Sequence, residues 1–276
     1  MGLKVMEMNN IFLSNVLFKT INDNRLSVLW WSVGIILFNL MVMGFYPSFG
    51  QNADYSQLLH SLSPEMVKVF LGSLSNTPAA YLDGKLYFMI LPFIFLAFNA
   101  LFGSATIADE EKSGLLDLVL STQIPRWRLL LEKFGAMVLL NIILGFVSFI
   151  SVWIGAIAVN ADLNIWHVFD VSLSLVTFGI FFGGLAIGIS AVTGSKQVSL
   201  GITGGFGFAS YLLNALAPLS AKYAHLQKLS PFYYYIEHDP LVHGLKVGDF
   251  SVLIIFAIIF LIIGLVIFQK RDLVTN

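Results

Sequence analysis

The chain has 276 residues, of which 57% are hydrophobic and 11% are charged, with 25 phenylalanines and a formal net charge of −1. Soluble domains carry about a quarter charged residues, so the composition is that of a membrane protein, and the small net charge gives nucleic-acid binding no support. Cysteine is absent, which excludes disulfides, thiolate metal sites and thiol nucleophiles.

The first predicted element is an interfacial helix within residues 1–25. Apolar and polar residues alternate between Asn10 and Arg25, a pattern typical of a helix lying in the membrane interface. A frayed amphipathic leader is the alternative. Residues 26–46 follow without a charge, and about 20 such residues are enough to cross the hydrocarbon layer. They form the first predicted span.

Five more apolar runs predict five more membrane spans. They cover residues 86–108, 135–159, 168–192, 198–217 and 250–268. Residues 47–85 and 218–249 are predicted outer loops, and residues 109–134 form a charged block between the second and third spans. Only five residues separate the fourth and fifth spans, so these two spans form an antiparallel hairpin.

The basic residues predict the orientation of the six spans. An even number of spans places both termini on one side of the membrane. If that side is the cytoplasm, ten of the fifteen lysines and arginines lie inside. This distribution satisfies the positive-inside rule. We therefore expect cytoplasmic termini and a cytoplasmic charged block.

Small residues recur every four positions in the fourth and fifth spans. The pairs are Gly179/Gly183, Gly184/Gly188 and Gly201/Gly205. This spacing lets two helix backbones approach closely in lipid. Packing within the chain and a seam with a second subunit both fit the pattern.

The spans lack the groups that several functions require. No Asp, Glu, Lys or Arg lies in the central part of a predicted span, whereas ion-coupled carriers need buried ionisable groups. A phosphate loop and a serine-hydrolase elbow are missing from the sequence. The histidines and acids of the last outer loop match no standard metal motif. We expect no catalytic residue and no metal in this chain.

The span asparagines and the charged block carry the remaining polar signals. Asn39, Asn99, Asn141 and Asn214 are predicted to form hydrogen bonds between helices. In the charged block an acidic pair, a glycine, a leucine-rich turn, a Ser-Thr pair, an arginine and a lysine follow in order. They are Glu110, Glu111, Gly114, Leu115, Leu116, Leu118, Val119, Leu120, Ser121, Thr122, Arg126 and Lys133.

This order resembles the first cytoplasmic loop of ABC-2 type permeases, the membrane subunits of ATP-binding-cassette exporters. Gln123 stands where that family usually has proline. A second match precedes the last span, where Ser230-Pro231-Phe232-Tyr233-Tyr234 is followed by Asp239-Pro240-Leu241 and Gly244. With six spans and an interfacial helix, the resemblance covers the whole chain.

The resemblance implies an all-α membrane protein of the ABC-2, type V exporter-like fold. It implies two six-helix subunits, a homodimer or a pair of paralogues, that bind two ABC ATPase subunits in a bacterial or archaeal plasma membrane. ATP and Mg would be bound by the ATPases and no cofactor by this chain. An uncharged, Phe-rich path would suit an amphiphilic drug, antimicrobial peptide or lipid-like molecule.

The resemblance also implies residue roles. A helix from Asp109 to about Leu120 would dock on the ATPase through Glu110, Glu111, Gly114, Leu115, Leu116, Leu118, Val119 and Arg126. Pro231, Phe232 and Tyr233 would form an outer gate. The alternatives are an ATP-independent channel or carrier and an intramembrane hydrolase.

Overall fold

The computed structural model describes residues 16–50, 77–114, 116, 124–220, 222–236 and 238–271. Within these ranges the chain is helical and contains no β-strand. Six helices are long and apolar enough to cross a membrane. The predicted all-α membrane fold with six spans is therefore confirmed.

Nine α-helices are numbered here in chain order. They are α1 Val16–Asp23, α2 Arg25–Phe45, α3 Pro78–Lys112, α4 Arg126–Ala158, α5 Ile165–Thr193, α6 Lys196–Leu216, α7 Pro231–Ile236, α8 Pro240–His243 and α9 Val247–Lys270. A π-helical turn, Tyr46–Gly50, extends α2, and α3 contains a π-helical segment, Asp83–Ile90. Two 3₁₀ segments, Ala217–Leu219 and Ala224–Leu229, lie between α6 and α7.

Helix α3 begins inside the predicted outer loop. Thr77 accepts a hydrogen bond from the backbone N–H of Ala80 (3.3 Å), and Pro78 occupies the first turn. Both are typical helix-start features, since the cap satisfies one free N–H and proline needs none. The apolar run begins later, at residue 86, because Asp83 and Lys85 interrupt the hydropathy without ending the helix.

Helix α4 also extends beyond its predicted span. It has 33 residues and is therefore about 50 Å long, more than the hydrocarbon thickness of about 30 Å. Its extra turns, from Arg126 to Phe134, lie beside the last turn of α3. We name this end of the bundle, where α3 ends and α4 begins, the charged end.

Helix α5 is the centre of the bundle. In its most apolar stretch 83% of the residues are buried, compared with 22% for α9 and 28% for α2. It packs against α3, α4, α6 and α9, whereas α2 packs along α4. Helix α1 lies against the start of α4, where the Leu17 backbone N–H donates to the Glu132 carboxylate (3.2 Å).

The glycines of α5 pack within the chain. A Cβ atom on Gly184 would lie 2.9 Å from the carbonyl oxygen of Ala257, and one on Gly188 would lie 2.7 Å from that of Phe260. Both carbonyls belong to α9, so these glycines allow α5 and α9 to approach closely. Gly201 and Gly205 of α6 have no such neighbour within 4 Å among the described residues.

Gly179 and Gly183 make room for buried asparagines. The side-chain amides of Asn99 and Asn141 donate to each other's oxygen atoms, both at 2.8 Å. A Cβ atom on Gly179 would overlap with Asn141, and one on Gly183 would lie 2.6 Å from the Asn99 oxygen. The predicted hydrogen bond between spans therefore joins α3 and α4 beneath α5.

Candidate functional site

Three consecutive acidic residues lie in the last turn of α3, and each one pairs with a cation from a different part of the bundle. Neighbouring residues on an α-helix point roughly 100° apart, so an acidic run at a helix end reaches several partners. The pairs are Asp109 with Lys196 at 2.6 Å, Glu110 with Lys133 at 2.5 Å, and Glu111 with Arg271. We name Asp109, Glu110 and Glu111 the acidic triplet. It connects α3 to α6, α4 and the end of α9.

Lys133 is the most deeply buried charge of the charged end. Its side chain is 2% exposed, and its ammonium group also donates to the backbone carbonyl of Thr106 in α3. A buried ion pair is costly to break, since removing one partner leaves the other charge uncompensated. The pair with Glu110 therefore fixes the position of α4 relative to α3.

Arg126 binds the end of α9. Its guanidinium donates to the carbonyl oxygens of Phe268 (3.0 Å) and Arg271 (2.7 Å) and lies 5.7 Å from the centroid of the Phe268 ring. The last carbonyls of a helix lack partners within the helix and carry partial negative charge. Arg126 therefore connects the start of α4 to the end of α9.

Gly114 lies two residues after the C-terminal end of α3. Its φ of +72° lies in the left-handed region, and its N–H donates to the carbonyl of Glu111 (3.1 Å). Glycine adopts this conformation without steric cost and commonly follows a helix end. The prediction of one helix from Asp109 to Leu120 is therefore wrong, because α3 ends at Lys112.

The leucines of the charged block are only partly described. Leu116 is 1% exposed and belongs to the core of the chain. Leu115, Leu118 and Val119 lie outside the described residues. Since Leu116 is buried within this chain, its predicted contact with an ATPase would require a rearrangement of the loop. The coupling role of all eight residues stays a prediction.

The turn between α5 and α6 also belongs to the charged end. Together with Asp109 and Glu111 it lines a cavity of about 520 Å³, to which Lys112, Thr193, Ser195, Lys196 and Gln197 contribute. Gly194, with φ +63°, lies so close to Arg271 and Glu111 that a Cβ atom would overlap with both. Sequence reasoning missed this turn as part of the site. Lys196, the one charged residue of this turn, could have indicated a contact with the acidic residues of α3.

The predicted outer-gate residues lie at the opposite end of the bundle. Phe232 is buried, and its ring packs against Phe178 (4.8 Å between centroids), Tyr211 (5.6 Å) and Phe93 (6.0 Å). Pro231 is buried beside it, while Tyr233 is half-buried. Phe232 therefore connects α7 to α3, α5 and α6. Gating by these three residues stays a prediction.

His238, one of the histidines of the last outer loop, lies between Asp249 and Lys246. His238 lies 2.5 Å from the Asp249 carboxylate, and Lys246 lies 2.7 Å from the other ring nitrogen. Glu237 lies outside the described residues. In the part of the chain that the structure describes, no group of three or more His, Cys, Asp or Glu residues is placed to hold a metal ion.

Comparison with protein families identifies the family of this chain. A family model described as "ABC-2 family transporter protein" matches residues 14–273. None of the curated proteins compared matches the chain. The matched region runs from α1 to the end of α9 and includes the charged end, so the resemblance seen in the motifs is confirmed. The chain is thus a multi-pass membrane transport protein that belongs to the ABC-2 transporter family.

Proposed function

We propose that this chain is the permease subunit of an ATP-driven exporter and that it is coupled to a separate ATPase through the charged end. Members of the family are membrane transport components that work with ABC ATPases and are not themselves catalytic. The single observation that carries the coupling proposal is the acidic triplet, because it connects one helix end to three other helices.

The arrangement supports a simple mechanism. Residues 113–125 join α3 to α4 at the charged end, so a protein that moves this segment also moves both helices. The ion pairs of the triplet would transmit the movement to α6 and α9. Closure of two ATPases on ATP and Mg would then shift the bundle between two arrangements that differ in affinity for the ATPases.

The orientation and assembly follow from the same proposal. The charged end and both termini face the cytoplasm of a bacterial or archaeal cell, and each of two permease subunits binds one ATPase. Gly201 and Gly205, which have no neighbour within 4 Å in the described chain, suit the seam with a second copy or a paralogue. Small residues at such seams let helices pack closely in lipid.

The transported molecule in this proposal is amphiphilic. Large apolar side chains are exposed on α2 and α6, among them Trp30, Leu37, Phe206 and Phe208. These faces offer apolar contact and no formal charge. A drug, an antimicrobial peptide or a lipid-like molecule matches them better than a sugar or an ion does.

One observation favours an ion-coupled carrier as the second candidate. Asp83 is 4% exposed within α3, and one of its carboxylate oxygens has no hydrogen-bond partner among the described groups. A buried carboxyl in a membrane span is a usual feature of such carriers. It lies near one end of α3 rather than at its centre, so the exporter proposal is preferred.

Copurification tests the proposal. The chain would be coexpressed with a candidate ABC ATPase, purified through a tag on the chain and assayed for ATP hydrolysis in lipid. Lys112→Glu, at the exposed end of α3, should weaken ATPase binding about fivefold, the effect of one exposed charge pair. The matched control is Lys228→Glu, an exposed lysine near the opposite end.

A chain that carries out transport without any ATPase would overturn the proposal. In that case loss of transport in Asp83→Asn would identify the carrier. If the ATPase copurifies equally with both lysine variants, the complex stands but its contact lies elsewhere than the end of α3.

A further inference from the structure

A second cavity lies beside the charged end, between the start of α2 and the adjacent face of α3. Its volume is about 280 Å³. Asp23, Asn24 and Ser27 line it at the α1–α2 turn, and Phe98 and Phe102 line it on α3. Helix α2 packs mainly along α4, and it meets this side of α3 through the contact of Trp31 with Phe98. The volume is close to that of a small ligand site.

One wall of this cavity is aromatic. The rings of Trp31 and Phe98 are arranged edge to face with 6.0 Å between centroids, and Phe98 is stacked on Phe102 at the same distance. Aromatic rings offer apolar contact to a hydrocarbon chain and a negative face to a cation. The wall therefore suits a molecule that combines a cation with an apolar tail.

The polar wall presents mainly hydrogen-bond acceptors. The Thr20 hydroxyl donates to the Val16 carbonyl, and the Asn24 amide donates to the Thr20 carbonyl, both at 2.8 Å. Because these donors are used within α1, the oxygen atoms of the two side chains remain available to a ligand. The carboxylate of Asp23, an exposed residue, lies beside them at the mouth.

The formal charges of the lining favour a cation. The cavity is lined by two carboxylates, Asp23 and Glu110, and by one ammonium group, Lys133. The Lys133 ammonium is paired with Glu110 at 2.5 Å and donates to the Thr106 carbonyl. The lining therefore carries one more carboxylate than ammonium groups. Asp23 lies within electrostatic range of Lys133 but forms no ion pair with it, and Lys19 is a further cation near Lys133 outside the lining.

We propose that the cavity binds the ammonium group of a cationic amphiphile, with Asp23 as its counter-ion and the aromatic wall around its tail. The inference rests on the proposed function, since it narrows the class of transported molecule from amphiphiles in general to cationic ones. An ammonium group on an apolar tail could come from an aminophospholipid headgroup or from a free cationic amphiphile. Both would use the same contacts.

Binding is tested on the purified chain in nanodiscs, without any ATPase. The probes are three diphenylhexatriene dyes, one carrying a trimethylammonium group, one neutral and one carrying a carboxylate. Energy transfer from tryptophan to each dye reports its binding, and Trp31→Phe shows the share that comes from the cavity. Asp23→Asn should weaken binding of the cationic dye three- to fivefold, the effect of about one exposed charge pair.

Two further variants complete the design. Ala105→Phe, which places a ring in the cavity, should weaken binding of the cationic and the neutral dye alike. Asp162→Asn removes an exposed carboxylate from the α4–α5 turn, far from the cavity, and should change nothing. The proposal is overturned if the cationic dye binds equally to wild type, Asp23→Asn and Ala105→Phe, or if the anionic dye binds more tightly than the cationic one.

The source of the ammonium group is resolved by competition. If adding phosphatidylethanolamine to phosphatidylglycerol nanodiscs displaces the cationic dye, a lipid headgroup occupies the cavity. If it does not, and the dye remains bound, the ligand is a free amphiphile. Export of the dye by the complex is measured separately. If the dye binds in the cavity but is not exported with ATP, the result contradicts the exporter proposal and supports the cavity. If the dye is exported and neither Asp23→Asn nor Ala105→Phe changes its export, the result supports the exporter proposal and contradicts the cavity.

Discussion

At the scale of single residues, the ion pairs of the charged end differ in their contribution to stability because they differ in burial. The Lys133 side chain is 2% exposed, whereas that of Arg128, which pairs with Glu132 at 2.6 Å, is 50% exposed. Water screens an exposed pair and offers its members hydration when it breaks. In the Lys133–Glu110 pair the ammonium is buried while the Glu110 side chain is 26% exposed, so Lys133 depends on its partner more than Glu110 does.

Glu110→Gln should therefore destabilise the chain, since it leaves the Lys133 ammonium buried without a counter-ion. The expected loss is about 3–5 kcal/mol, measured as thermal unfolding in detergent. The double variant Glu110→Gln/Lys133→Met removes both charges and should recover most of it. Arg128→Met, the matched exposed control, should cost at most about 1 kcal/mol. Equal losses for the two single variants would contradict the buried pair.

At the scale of elements, the glycine pairs separate into two kinds. Gly184 and Gly188 contact the backbone of α9, while Gly201 and Gly205 have no neighbour within 4 Å among the described residues. Sequence spacing is the same in both cases. Only the positions of the neighbouring helices distinguish Gly184/Gly188, which packs within the chain, from Gly201/Gly205, which we propose for a contact with a partner.

Gly188→Ala should destabilise the chain by about 1–3 kcal/mol, because its Cβ atom would collide with the Phe260 carbonyl and tightly packed helices resist added volume. Gly201→Ala should leave the unfolding temperature unchanged or raise it slightly, since alanine favours the helix more than glycine does. Comparison of the two variants by thermal unfolding tests the assignment. A large loss in Gly201→Ala would show that α6 has a packing partner within the chain.

The second pair gives a further prediction. Gly201→Leu/Gly205→Leu should reduce cross-linking between permease subunits while the chain keeps its own stability, since bulky side chains separate helices at a small-residue seam. The measurement is cross-linking yield in membranes, with Gly34→Leu on α2, another glycine without neighbours within 4 Å, as the control. Unchanged yield would place the subunit seam on another face.

The number of spans was predictable, because the length of an apolar run can be read directly from a sequence. The packing partners of each helix were not predictable, because a sequence does not show which helices lie side by side. Six long apolar runs indicated the number of spans, and the residue pair Thr77-Pro78 indicated the start of α3. The partners of Glu110 and Glu111 were not predictable, since Lys133 and Arg271 are 23 and 160 positions away. Their charges suggested an external partner, whereas the folded chain supplies internal ones.

At the scale of the whole molecule, the charged end can act as one body. The acidic triplet and Arg126 join four helices there, while Phe232 and the neighbouring aromatic rings join α7 to three helices at the opposite end. In the proposed exporter, movement imposed at residues 113–125 would therefore reach the far end through α3 and α5.

Gly114→Pro should abolish coupling. Proline fixes φ near −65°, whereas Gly114 has φ +72°, so the chain leaving α3 would take another direction. We expect ATP-driven export to fall more than about tenfold, the effect of some 1.4 kcal/mol, with normal insertion of the six spans. Gly114→Ala, which costs only about 1 kcal/mol of local strain, should keep most of the export. Full export by the proline variant would argue against this loop as the coupling element.

The pairing of Glu111 with Arg271 also has a consequence for biogenesis. Glu111 lies at the end of the second span, with its side chain 8% exposed, and its cation follows the sixth span. During synthesis the Glu111–Arg271 pair can therefore form only after α9 has been made. The last ion pair of the acidic triplet is thus completed only after the sixth span has been synthesised.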